Sequence, residues 1–208
     1  MILRSFKVGE IKTNCYLLMD KRTKKAVVID PGAHSEELIA EIKELGAEVK
    51  HIIITHGHWD HIGGVNVLKE FTDAEVLAHT KAKNFLTDER LNFSHLYHKK
   101  HVTVYPDRYL EENMAIHIGD LKLSVIHTPG HTPGCICLYE HNKKILFSGD
   151  LLFKSTVGRS DLPGGDFHTL ISSLRNKILP LSDVIEVYPG HGVKTTLGHE
   201  RYTNNFLK

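Results

Sequence analysis

The sequence predicts an α/β layered domain, with helices outside and sheets within. Two observations carry that reading. Strands and helical stretches interleave in both halves of the chain, and four apolar strands each run into a Gly-rich or Pro-Gly loop that opens on a histidine or an aspartate. At 208 residues the chain is read as one domain, 1–208, long enough to bury a core without disulfides or a structural ion.

Ile2–Phe6 and Tyr16–Met19 read as strands, and Ala26–Asp30 is a buried strand stopped by the turn signal Asp30-Pro31-Gly32. Ser35 caps a helix reaching Leu45, since Leu38, Ile39, Ile42 and Leu45 fall on one helical face and Gly46 ends it. The strand His51–Thr55 follows, then a helix at Val65–Phe71 and a short strand at Glu75–Ala78. From Thr80 to Leu110 the pattern weakens around Tyr97, His98, Lys99, Lys100 and His101, as in a binding loop or lid. The second half is expected to form strands at Ala115–Ile118, Lys122–Thr128, Cys135–Tyr139 and Lys144–Ser148. A loop over Leu151–Asp166, a helix over Phe167–Ile178, a strand at Val184–Tyr188 and helical turns from Gly198 complete the chain.

Composition excludes several classes. The formal charge is +1 and the basic residues are scattered, so neither nucleic acid nor an anionic membrane is an expected partner. The N-terminal stretch lacks the apolar core of a signal peptide, and no run approaches the roughly 20 apolar residues of a membrane helix. Cys15, Cys135 and Cys137 are odd in number without Cys-x-x-Cys spacing, which fits small buried side chains in a reducing cytoplasm. A cytoplasmic monomer or homodimer acting on a small molecule is the expectation.

The chemistry collects after the run Ile52-Ile53-Ile54. His56, His58, Asp60 and His61 follow within six residues, and His131, Asp150 and His191 stand just past three other strands. Imidazole and carboxylate suit a borderline divalent ion. One residue separates His56 from His58, so both rings can face one ion, while Asp60 and His61 can serve a second. A carboxylate such as Asp150 can bridge two cations. Two ions held close can clamp a hydroxide and stabilise charge on a substrate oxygen. Trp59, between the ligands, is read as packing.

These stretches resemble the metallo-β-lactamase superfamily, and the chain looks like its glyoxalase II-like hydrolase branch throughout. Thr128-Pro129-Gly130-His131-Thr132-Pro133-Gly134, Ser148-Gly149-Asp150-Leu151-Leu152-Phe153 and Tyr188-Pro189-Gly190-His191-Gly192 extend the match. The resemblance implies a four-layer αββα sandwich with a binuclear site at one sheet edge. It assigns His56, His58 and His131 to one metal, Asp60, His61 and His191 to the other, and Asp150 to the bridge. Zinc is the first expectation, with iron or manganese as alternatives. His58 separates the chain from flavodiiron proteins, and Asp150 from lactamases with cysteine there. The chain departs from glyoxalase II at Arg159, Asp161 and Val193, and it stops soon after Phe206, without the helical glutathione-binding extension.

The expected reaction is thioester hydrolysis by a metal-bridging hydroxide, with Asp60 orienting the nucleophile and taking its proton. A mononuclear iron persulfide dioxygenase using His56, His58, His131 and Asp150 is the alternative, and a non-catalytic scaffold ranks last. Arg159 either binds a substrate carboxylate or pairs with Asp161 or Asp166. Asp30 is expected to orient a ligand histidine. His95, His98 and His101 read as exposed lid residues, and His168 and His199 as capping or packing residues.

Overall fold

The structure, a computed structural model, describes residues 1–97 and 101–208. Its first half holds β1 (Ile2–Val8), β2 (Thr13–Met19), β3 (Lys25–Ile29), α1 (Glu36–Leu45), β4 (Glu48–Ile54), α2 (Trp59–Ile62), α3 (Val65–Thr72), β5 (Glu75–His79), α4 (Lys83–Thr87), α5 (Ser94–Tyr97) and β6 (Arg108–Leu110). The second holds β7 (Ala115–Ile118), β8 (Leu121–His127), β9 (Ile136–Glu140), β10 (Ile145–Gly149), β11 (Leu152–Phe153), β12 (Thr156–Val157), α6 (Phe167–Ser173), β13 (Glu186–Pro189), β14 (Thr195–Thr196) and α7 (Leu197–Thr203). One six-stranded sheet runs β1 to β6 in chain order, and the other is ordered β14-β13-β10-β9-β8-β7. The strands β11 and β12 form a separate hairpin.

Three apolar clusters define four layers. Successive strand residues point to opposite faces, so Leu17, Val28, Ile52 and Ile54 pack on the outer face of the first sheet with Leu38 and Ile42 of α1 and Leu68 of α3. Their neighbours Leu18, Val27, Ile29 and Ile53 turn inward and meet Leu123, Val125, Leu138 and Phe147 of the second sheet. On the far side Leu146 and Val187 pack against Leu170 of α6 and Leu197 of α7. Strands buried on both faces read as unbroken apolar runs, which is why Ile52-Ile53-Ile54 shows no alternation. Truncating Ile53 to alanine between the sheets is expected to cost about 2–5 kcal/mol.

The αββα sandwich is the expected one. Helix α1 is capped as the sequence indicates, with the Leu38 amide donating to Ser35 Oγ and Gly46 in the left-handed conformation. Several short elements escaped the sequence reading: α2, β6, the β11–β12 hairpin and β14 are two to four residues long, too short to show a period. The strand expected from Val184 starts at Glu186, and Val184 is exposed. The helix expected over Phe167–Ile178 winds into a π-helical turn at Leu174–Ile178.

All three cysteines are buried and unpaired, and burial pushes the Cys135 and Cys137 thiols up to about 12. No helix among the described residues is long and apolar enough to cross a membrane.

Candidate metal centre

Strand direction gathers the site. β8 and β10 both run antiparallel to β9, and β13 runs parallel to β10, so the carboxyl ends of β8, β10 and β13 share one edge. The end of β4 meets that edge from the other sheet, where the Ile136 amide donates to Thr55 O at 2.9 Å. The loops after these strand ends carry His56, His131, Asp150 and His191. The unexpected helix α2, beginning at Trp59, presents Asp60 and His61 to the same space.

The seven candidate side chains fall into overlapping groups. The Nε2 of His56, Nδ1 of His58 and Nε2 of His131 lie 2.9–3.2 Å apart. Tetrahedral nitrogen ligands at about 2.0–2.1 Å from an ion stand about 3.3 Å from one another, so this spacing fits one cation. Asp60 Oδ2 lies 3.2 Å from His61 Nε2 and 3.1 Å from His191 Nε2, a second trio. Asp150 stands between the two, with Oδ1 3.4 Å from His61 Nε2 and Oδ2 3.7 Å from His131 Nε2 and 3.6 Å from His191 Nε2.

Two buried atoms test whether these residues fit metal ions. His61 Nε2 and Asp150 Oδ1 face each other with no hydrogen-bond partner. Leaving such groups unpaired is costly, and a cation between them satisfies both. Gly190 keeps the space open, since a Cβ there would come within 2.1 Å of Asp150 Oδ1 and 2.7 Å of His61 Cε1.

The rings are aimed by their outer nitrogens. His61 Nδ1–H donates to Asp30 Oδ2 at 2.9 Å, and His131 Nδ1–H donates to the Arg159 carbonyl at 2.7 Å. Thr55 Oγ1 donates to Asp30 Oδ2 at 2.6 Å and is therefore left to accept from His56 Nδ1 at 3.3 Å. These bonds leave the Nε2 lone pairs facing inward. The Asp30 backbone makes this possible by taking a positive φ of 51° at the end of β3. Asp30 thus has the orienting role the sequence suggested. Thr55 was missed, although its place next to His56 was a signal. Thr13, whose Oγ1 donates to Asp60 Oδ2 at 2.8 Å, had none.

Electrostatics follow from burial and proximity. Burial and the neighbouring His131 bring His58 down to about 3, and burial with the facing His61 and His131 holds His56 well below the ordinary range, so both are neutral lone-pair donors. Burial opposes charge on Asp60 and Asp150, yet His61 and the other histidines around them together outweigh it, and both carboxyls are held below their usual range. Burial likewise opposes charge on His61, but Asp60, Asp150 and Asp30 raise it well above its ordinary value. The three carboxylates thus favour positive charge around His61.

The remaining candidates lie elsewhere. The Arg159 guanidinium pairs with both Asp161 oxygens at 2.8 and 2.9 Å, one of the two readings the sequence allowed. His95 and His101 are exposed and both bond to Glu89, and His98 lies outside the described residues. His168 and His199 sit exposed on α6 and α7, and Trp59 is buried. A cavity of about 550 Å³ opens beside His191, lined by Phe153, Lys154 and Val193 among others.

A four-layer αββα sandwich with a His/Asp cluster at its sheet edge defines a class of metalloprotein. The chain belongs to the metallo-β-lactamase superfamily, whose family model matches residues 8–191. It is 39% identical to the hydroxyacylglutathione hydrolase GloC of Haemophilus influenzae, with 96% of this chain and 95% of that protein covered. Among solved structures it resembles the B3 metallo-β-lactamase BLEG-1 (TM-score 0.93, 39% identity, all of both chains covered). TTHA1623 in a di-iron-bound form is also similar (TM-score 0.86, 37% identity, 98% of this chain and 100% of that one). The chain is therefore a member of a metallo-hydrolase superfamily with a His/Asp metal-binding cluster.

Proposed function

We propose that the protein is a metal-dependent hydrolase that cleaves a thioester with two divalent ions in place, zinc first and iron or manganese as alternatives. The observation that carries this reading is the position of Asp150, with one carboxylate oxygen toward His61 and the other toward His131 and His191. In this reading His56, His58 and His131 would hold one ion, Asp60, His61 and His191 the other, and Asp150 would serve both. A mononuclear centre would engage His56, His58, His131 and Asp150 and leave the second trio paired within itself, Asp60 against His61 and His191. The similarity to GloC supports a thioester, and the di-iron form of TTHA1623 supports two ions.

Ions bound here would lower the pKa of a water and polarise a carbonyl. The protein's part is to place and protect. Asp60, a carboxylate held ionised beside His61 and His191, is the group to orient the nucleophile by accepting its hydrogen bond. Asp30 and Thr55 keep the ligand rings aimed, so little reorganisation accompanies reaction. A thiolate is a good leaving group, so the mechanism requires no strong general acid. The cavity beside His191 has room for one arm of the substrate over Phe153 and Val193, with Lys154 at its wall.

A substrate panel tests the reading. S-lactoylglutathione, other acyl thioesters, a β-lactam and a persulfide are each assayed against the wild type and Asp150→Ala. Thioester hydrolysis that disappears with Asp150 is the expected result. Full hydrolysis in Asp150→Ala, or oxygen-dependent persulfide turnover with a single iron, overturns it.

A further inference from the structure

The hairpin of β1 and β2 contributes no ligand, yet four of its side chains grip the second trio. Thr13 Oγ1 donates to Asp60 Oδ2 at 2.8 Å, the same oxygen that faces His61 and His191. Asn14 Nδ2 donates to Pro189 O at 2.7 Å and to Gly192 O at 3.2 Å, and the Asn14 amide donates to Gly190 O at 2.7 Å. Tyr16 Oη adds a bond to Pro189 O at 2.6 Å, and Lys7 Nζ one to Gly192 O at 2.7 Å. Every backbone carbonyl flanking His191 therefore accepts from this hairpin.

The loop needs such ties. His191 sits between two glycines, with Gly192 at a φ of 77°, a backbone with little stiffness of its own. Thr13 and Asn14 are themselves buried, so their polar groups are committed to these partners. The first trio is held differently: His56 by Thr55 and His131 by the Arg159 carbonyl. Among the described residues no hydrogen bond joins the hairpin to His56, His58 or His131.

We propose that Thr13 and Asn14 are positioning residues that set the affinity of the Asp60–His61–His191 group for its ion separately from that of the His56–His58–His131 group. The hairpin then decides whether the centre holds one ion or two. This inference rests on the two-ion reading above. Losing an outer partner of a ligand commonly weakens metal binding about 10–100-fold, and here the loss falls on one ion alone.

The test is a zinc titration of the metal-free protein against a chromophoric chelator, read as two dissociation constants, for the wild type, Thr13→Val, Thr13→Ser and Asn14→Ala. Thr13→Val keeps the shape and removes the donor, while Thr13→Ser restores it. The expected result is an unchanged first constant, a second weakened about tenfold or more in Thr13→Val and Asn14→Ala, and recovery in Thr13→Ser. Equal weakening of both constants, or no weakening in Thr13→Val, overturns the proposal. Should Asn14→Ala fail to fold, the Thr13 pair decides alone. A wild type that binds one ion removes the two-ion reading instead, and activity plays no part in the readout.

Discussion

Asp30 Oδ2 accepts from His61 Nδ1 at 2.9 Å and from Thr55 Oγ1 at 2.6 Å, so one carboxylate at the end of β3 supports a ligand of each trio. Asp30→Ala removes the acceptor from His61 directly and from His56 through Thr55. Both ions are then expected to bind about 10–100-fold more weakly, measured by competition with a chelator. Unchanged retention would show that the rings are held by packing.

Gly190 lies directly against two of the candidate ligand side chains, Asp150 and His61. Gly190→Ala places a methyl within 2.1 Å of Asp150 Oδ1, so the carboxylate or the loop must move. Loss of metal with near-normal secondary structure by circular dichroism is the expected outcome.

Arg159 tests a negative. Its guanidinium pairs with Asp161 on the surface, and His131 bonds to its carbonyl. Arg159→Ala should leave metal content and melting temperature unchanged. A large rise in KM with unchanged kcat would return this residue to the substrate.

His79 and His127 stack at 3.9 Å, away from the ligands. Burial, with His127 and Lys81 nearby, brings His79 down to about 4 from an ordinary 6.5; Lys177 opposes its charge and Glu112 favours it. A histidine neutral in the fold but free to charge when unfolded stabilises the fold above its unfolded pKa, and that stability is lost as pH falls. The metal-free protein should therefore lose melting temperature between pH 6.5 and about 4. His79→Phe keeps a stacking ring and should flatten part of that slope.

The sequence and the structure agree where burial imposes a pattern. β2, β3 and β4 are covered on both faces, so their apolar runs are unmistakable, and the Pro-Gly and Gly punctuation at Pro129-Gly130, Gly149 and Pro189-Gly190 marks where ligand loops begin. What stayed hidden depends on long-range pairing. α2 is only four residues long, and two of them are the candidate ligands Asp60 and His61, so it shows no apolar period. Thr13 and Asn14 stand before the expected strand Tyr16–Met19 and belong to β2 in the fold, where α2 brings Asp60 and the second sheet brings Pro189 against them. Local chemistry was legible, as was Asp30 beside its turn; Thr13 and Asn14, which reach the site from another strand, were not.

A two-ion hydrolytic centre is open to one decisive titration. Zinc is added stepwise to metal-free protein while thioester hydrolysis is followed at each ratio of metal to chain. With two ions required, activity stays low through the first equivalent and rises with the second. Full activity at one equivalent, with no further change at two, would contradict that requirement.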